Sequence, residues 1–155
     1  MSTLDGLINS QRVMVGLKAQ CKREALAQIA EKAAAEFGGD ASQILDVLLE
    51  REKLGSTGIG NGVAIPHGKI PGIKSMVGYV ARLEQPVDFD ALDNEPVDLV
   101  FALLAPDESD ALHLKCLSKI ARLLRDEETR SAMRGAKDTE ALLAIILEET
   151  RSQAA

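Results

Sequence analysis

The chain has 155 residues, 46% of them hydrophobic and 3% aromatic, and carries a formal net charge of -6. That length fits a single domain over residues 1–155, with apolar material enough for a core. The acidic balance excludes nucleic acid as the main ligand, because a phosphate backbone demands a Lys/Arg footprint, and without Trp the chain is not built to recognise bases or sugars by stacking.

No apolar run approaches the roughly 20 residues of a membrane span, so no membrane insertion is expected. Met1–Ser10 carries Asp5 and lacks both a basic start and a long apolar stretch, unlike a secretory signal. Cys21 and Cys116 are too few for a disulfide framework and lack zinc-ligand spacing, which fits a reducing cytoplasm.

In chain order, Val13, Val15 and Leu17 alternate and predict a strand. Lys22 to Phe37 predicts a helix with Leu26, Ile29, Ala30, Ala33, Ala34 and Phe37 as its apolar stripe, stopped by Gly38-Gly39. Cys21 stands where this helix wants a Ser or Thr cap, with Glu24 three residues on, so the capping box is incomplete. Asp40 caps a second helix, about Ala41 to Lys53, which turns Ile44, Leu45, Leu48 and Leu49 inward and ends at Gly55. The glycines of Ser56 to Gly62 predict a loop.

Val63 to Ile65 predicts a short strand cut off by Pro66, and Met76 to Leu83 a longer one with Val77, Tyr79, Ala81 and Leu83 on one face. Val97 to Ala105, broken only by Asp98, has the pattern of a strand buried on both faces. Asp110 to Arg125 predicts a helix whose apolar arc runs from Leu112 through Ile120 and Leu124 to Leu114. Two more helices follow near 127–134 and 139–150, separated by Gly135, with Asp138 capping the last. Strands interleaved with helices make the fold α/β (α+β), a mixed and mainly buried sheet flanked by α-helices on both faces.

The chain has two histidines. His67 follows the short strand within Pro66-His67-Gly68-Lys69, and His113 sits in the first turn of the helix after the buried strand, in the middle of its apolar arc. Both are expected beyond the carboxyl ends of strands, where α/β folds form ligand crevices. Alone, His113 also fits a core histidine satisfied by a backbone carbonyl, and His67 a surface turn residue. The surroundings favour chemistry. Ser56 to Gly68 holds four glycines with Ser56 and Thr57, a segment whose backbone N–H groups and hydroxyls can gather around an anion; Gly58 and Gly60 belong to that candidate phosphate loop. Arg51 can clamp two phosphate oxygens with its planar fork, although a lone Arg at a helix end is also favoured by the macrodipole. Lys69 adds charge nearby.

Other chemistries fail on spacing. Gly68-Lys69 runs into Ile70 and Pro71, so this is no P-loop, and Gly58, Gly60 and Gly62 lack the dinucleotide interval. His113 and Cys116 lie one helical turn apart, but two ligands without a carboxylate make a weak metal site, and Cys116 lies inside the apolar arc, where a thiolate is disfavoured. No metal and no organic cofactor is expected. An imidazole is nucleophilic near neutral pH and suits phosphoryl transfer.

The segment from Arg51 to Lys69, together with Phe89 to Leu104 and His113-Leu114, resembles the fructose/mannitol-type enzyme IIA domains of the bacterial phosphoenolpyruvate-dependent phosphotransferase system, most closely their nitrogen-related regulatory branch. The resemblance covers about Leu4 to Leu147. It implies that His67 accepts a phosphoryl group from a histidine-containing phosphocarrier protein of the nitrogen branch, that Arg51 supports that group, and that His113 assists without being the acceptor. It also implies a cytoplasmic phosphotransferase component that acts mainly as a regulator, showing its phosphorylation state to targets such as sensor kinases or potassium transporters. A sugar-specific enzyme IIA that passes phosphate to a IIB domain shares the same motif, and an interaction module with an idle histidine is the reading from another class.

Overall fold

The computed structural model describes residues 6–154, and side chains as far as Arg151. The start of the N-terminal segment considered above, Met1–Asp5, lies outside the described residues, as does Ala155. A six-stranded mixed sheet is covered on one face by two helices and on the other by three. The strands are β1 (Val13–Leu17), β2 (Gly58–Gly60), β3 (Val63–Ala64), β4 (His67–Lys69), β5 (Val77–Val87) and β6 (Val97–Ala105). The helices are α1 (Lys22–Phe37), α2 (Ala41–Lys53), α3 (Asp110–Arg125), α4 (Glu127–Gly135) and α5 (Thr139–Ala154). The sheet order is β1-β5-β6-β3-β2, with β4 also paired to β6.

Strand β6 divides the protein into two cores, because successive side chains point to opposite faces. Leu99, Phe101, Leu103 and Ala105 pack with Cys116, Ile120, Leu123 and Leu124 of α3, Met133 of α4, and Leu142 and Ile146 of α5. Val97, Val100, Ala102 and Leu104 pack with Leu26, Ile29 and Ala33 of α1 and Ile44 and Leu48 of α2. Val77, Tyr79, Ala81 and Leu83 of β5 join this second core, as their alternation predicts. The Tyr79 hydroxyl donates to Glu36 Oε1 at 2.6 Å, and Glu36 is also held by the Arg12 guanidinium. Burial and the Glu36 carboxylate push the Tyr79 phenol far above its ordinary value.

Four local expectations change. The predicted loop at 56–62 contains β2, which pairs antiparallel with β3 across Asn61-Gly62. Both turn residues have positive φ, 59° and 77°, as a two-residue hairpin turn of primed type requires. Arg134 closes that turn by donating to the Asn61 carbonyl at 2.7 Å and to Asp98. Strand β5 runs four residues further than expected, through an irregular register between Arg82 and Val87. Leu112 and Leu114, at the two ends of the apolar arc predicted for α3, are 46% and 67% exposed. That arc spans more than half the helical wheel, wider than the stripe a helix can press against a sheet. Phe37, expected inside, is 40% exposed and lies under the Arg12 guanidinium.

The helix ends follow their capping residues. Asp40, Asp126 and Asp138 accept hydrogen bonds from Ser42, Thr129 and Ala141. Gly38, with φ 77°, ends α1 in the left-handed conformation. Cys21 makes no side-chain cap, and Glu24 reaches back to the Gln20 N–H instead. Cys21→Ser supplies the missing acceptor, so it should raise stability by about 0.5–1 kcal/mol; urea unfolding with an unchanged midpoint would contradict this.

Candidate functional site

Pro66 has no N–H to donate, yet the sheet continues past it. Val63 and Ala64 pair in parallel with Leu99 and Val100 of β6, and His67, Gly68 and Lys69 pair with Leu103, Leu104 and Ala105 in the same register. The Leu103 N–H bridges the gap by donating to the Pro66 carbonyl at 2.9 Å, while the Ile65 N–H turns away to the Thr57 carbonyl at 2.9 Å. His67 is therefore the first residue of a strand, not a turn residue beyond one. Three polar or small residues behind a proline carry no strand signal in sequence.

Strand β4 stands at the sheet's edge, where α2 ends on one face and α3 begins on the other. Gly68 permits the approach of α2: a Cβ there would lie 2.5 Å from Val47 Cγ1. Arg51, in the last turn of α2, reaches His67 around that edge. Its Nε donates to His67 Nε2 at 3.1 Å, and its Nη1 donates to the Gly55 carbonyl at 2.9 Å. His67 Nδ1 lies 2.8 Å from the Ile65 carbonyl. A carbonyl only accepts, so Nδ1 carries the proton and Nε2 keeps its lone pair.

His113 comes in from α3. The two rings stand edge to face, 76° apart, with centroids 5.5 Å apart. His113 is buried, and its Nε2 has no hydrogen-bond partner among the described residues, so the reading of a core imidazole satisfied there by a carbonyl does not hold for that nitrogen. Burial lowers the His67 pKa from its ordinary 6.5, and the Arg51 charge lowers it further, against the opposing Ile65 hydrogen bond and Glu52 charge. Burial also lowers that of His113, assisted by His67 and Lys69. Both shifts favour the neutral ring, and a neutral ring is the nucleophilic form.

The remaining candidates are less free than expected. Lys69 is paired with Asp110 in the first turn of α3. The Ser56 hydroxyl donates to the Phe89 carbonyl and accepts from the Gly58 N–H. Thr57 is buried, with both its N–H and its hydroxyl donating to Glu52. Gly58 and Gly60 are strand residues of β2. The structure thus brings Arg51, His67 and His113 together and turns the two hydroxyls of the glycine segment inward. Glu52 is the residue that sequence reasoning missed. A carboxylate beside Arg51 at the end of a helix looks solvated; the only available signal was Thr57 five residues on.

Three comparisons agree on relationship. Residues 6–149 match the family described as phosphoenolpyruvate-dependent sugar phosphotransferase system, EIIA 2. Among curated proteins, a nitrogen regulatory protein of Bradyrhizobium diazoefficiens is 45% identical over 140 residues, covering 90% of this chain and 92% of the relative. One from Pseudomonas aeruginosa is 42% identical over 154 residues, 99% and 100% of the two chains. Among solved structures, the nitrogen regulatory protein IIA-Ntr of Neisseria meningitidis superposes with a TM-score of 0.86 at 33% identity, covering 90% of this chain and 95% of that one.

Two outcomes follow from the geometry. Arg51→Ala removes a positive charge and opens the ring to water, so the His67 pKa should rise toward 6.5, as followed by an NMR titration of the imidazole carbons; a fall would contradict the assignment. The second concerns stability. Both folded-state imidazole pKa values lie below 6.5, so the unfolded chain binds more protons just below that pH. Their contribution to stability is complete above about pH 6.5 and declines as the pH falls toward the folded values. Replacing both histidines with Gln should flatten that part of the stability–pH curve.

Proposed function

The chain belongs to the phosphoenolpyruvate-dependent sugar phosphotransferase system EIIA 2 family, and from that membership and the geometry at β4 we propose that His67 takes up a phosphoryl group on Nε2 and that the protein acts as a cytoplasmic regulator through its phosphorylation state. The observation that carries the proposal is the tautomer: with Nδ1 bound to the Ile65 carbonyl, Nε2 is the nitrogen with an available lone pair. Nε2 attacks the phosphorus of a phosphohistidine on a donor carrier protein. The donor's N–P bond breaks, the new N–P bond forms, and the bond to Ile65 stabilises the positive charge that develops on the ring. Arg51 Nε, now on Nε2, moves to the incoming oxygens and offers them its planar fork. His113 Nε2, buried and without a partner among the described residues, can turn a hydrogen-bond donor toward the same oxygens. Ser56 and Thr57 serve to shape the segment beside the ring.

Regulation is favoured over sugar transport by the identity to nitrogen regulatory proteins over nearly the whole chain. A phosphoryl group adds about two negative charges at the sheet edge, enough to change what docks there. The donor would be a nitrogen-branch phosphocarrier, and the targets proteins such as sensor kinases or potassium transporters.

Mass spectrometry after incubation with phosphoenolpyruvate and the upstream carriers tests the acceptor: the wild type gains one phosphoryl group, and His67→Ala gains none. Histidine labelling of that variant would refute the assignment. His113→Ala should fold normally and be phosphorylated about a hundredfold or more slowly, the usual scale for losing one transition-state donor; unchanged rates would return His113 to a packing role. Transfer of the label to a sugar IIB domain would favour transport.

A further inference from the structure

Glu52 is a charged residue with a side chain 4% exposed, and the transfer chemistry does not use it directly. Its carboxylate nevertheless accepts three hydrogen bonds. Oε1 accepts from the Thr57 N–H at 3.2 Å and from Lys22 Nζ at 3.1 Å, and Oε2 accepts from the Thr57 hydroxyl. Lys22, the first residue of α1, lies 5.5 Å from the Phe89 ring centroid and 3.7 Å from Asp90. The carboxylate thus ties the start of α1, the end of α2 and the glycine segment together.

Two routes lead from it to His67. Along α2, Glu52 is the neighbour of Arg51, whose guanidinium spans from His67 Nε2 to the Gly55 carbonyl, inside the stretch that the Glu52–Thr57 bonds close. Along the segment, Thr57 accepts the Ile65 N–H through its carbonyl, and the Ile65 carbonyl in turn holds His67 Nδ1. One buried carboxylate therefore anchors both groups that hold the imidazole, one at each nitrogen. A buried acid that only filled space would be better replaced by an apolar residue, because desolvating a carboxylate is costly.

We propose that Glu52 is a positioning residue for phosphoryl transfer: through Thr57 and Arg51 it fixes the tautomer and the orientation of His67. This rests on the reading of His67 as the acceptor. The expected cost of losing it is about tenfold or more in rate, a part of the roughly hundredfold that a misplacement of about 1 Å can cost.

Glu52→Gln keeps the side chain's size and removes its charge. In the folded variant, phosphorylation by the donor carrier should lose about tenfold or more in kcat with KM nearly unchanged. Nitrogen-15 spectra should change from one His67 tautomer, protonated at Nδ1, to a mixture, with loss of the hydrogen-bonded Arg51 Nε–H signal. Thr57→Val deletes a single hydroxyl and should shift both readouts the same way by a smaller amount, which keeps the test available if Glu52→Gln fails to fold. A folded Glu52→Gln protein with wild-type kcat and a single tautomer overturns the proposal, as does a rise in KM alone, which would place Glu52 in docking. If the wild type itself takes no phosphate, the reading of His67 as acceptor fails, while the nitrogen-15 spectra still decide whether Glu52 sets the tautomer.

Discussion

Strand β6 is hydrogen-bonded along both edges and buried on both faces, and every other part of the protein is placed relative to it. On one edge it pairs antiparallel with β5; on the other it pairs in parallel first with β3 and then with β4. Its alternating side chains divide α1 and α2 from α3, α4 and α5. A parallel partner interrupted by proline could drift out of register, but β6 holds the pieces on both sides of Pro66 to one alignment. The depth of His67 against Leu103 is thus set by a ladder and not by a loop. That rigidity suits a residue whose ring must meet groups arriving from two different layers.

The site is accordingly a junction. Arg51 comes from the layer on one face and His113 from the layer on the other, and they meet at the imidazole because β4 is short and has an open edge. The carboxylate of Glu52 supports one side of that junction; on the other, Lys69 and Asp110 join β4 to the first turn of α3. Charge in this region is largely neutralised in pairs. Arg51 is the cation left directed at the ring, held by His67 Nε2 and the Gly55 carbonyl and paired with no carboxylate among the described residues.

Much of this was legible in sequence. The run Val97–Ala105 had the pattern of a doubly buried strand, and the apolar spacing of α1, α2 and α3 placed the middle of their inner faces, though not Phe37, Leu112 or Leu114. Arg51, His67 and His113, the candidates named from sequence, meet in the structure. What was not legible has specific causes. The abundance of glycine at 58–62 hid a hairpin that Asn61-Gly62 announces once both positive φ values are considered. His67-Gly68-Lys69 has no strand propensity of its own and is extended because β6 holds it. The hydroxyls of Ser56 and Thr57 looked available to an anion because their internal acceptors, the Phe89 carbonyl and Glu52, lie elsewhere in the chain or looked solvated. Tertiary partners decided the strand at His67 and the two hydroxyls, and no local pattern records them.

Tyr79 gives the protein an unusual optical property. The chain has one tyrosine and no tryptophan, so its ultraviolet emission comes from a single phenol fully buried in the core, with its hydroxyl bound to a carboxylate. Such a chromophore does not ionise over the ordinary working range, and it senses the seam between β5 and α1 instead of the solvent. Intrinsic fluorescence is then a one-position gauge of whether that layer is closed, available without any label.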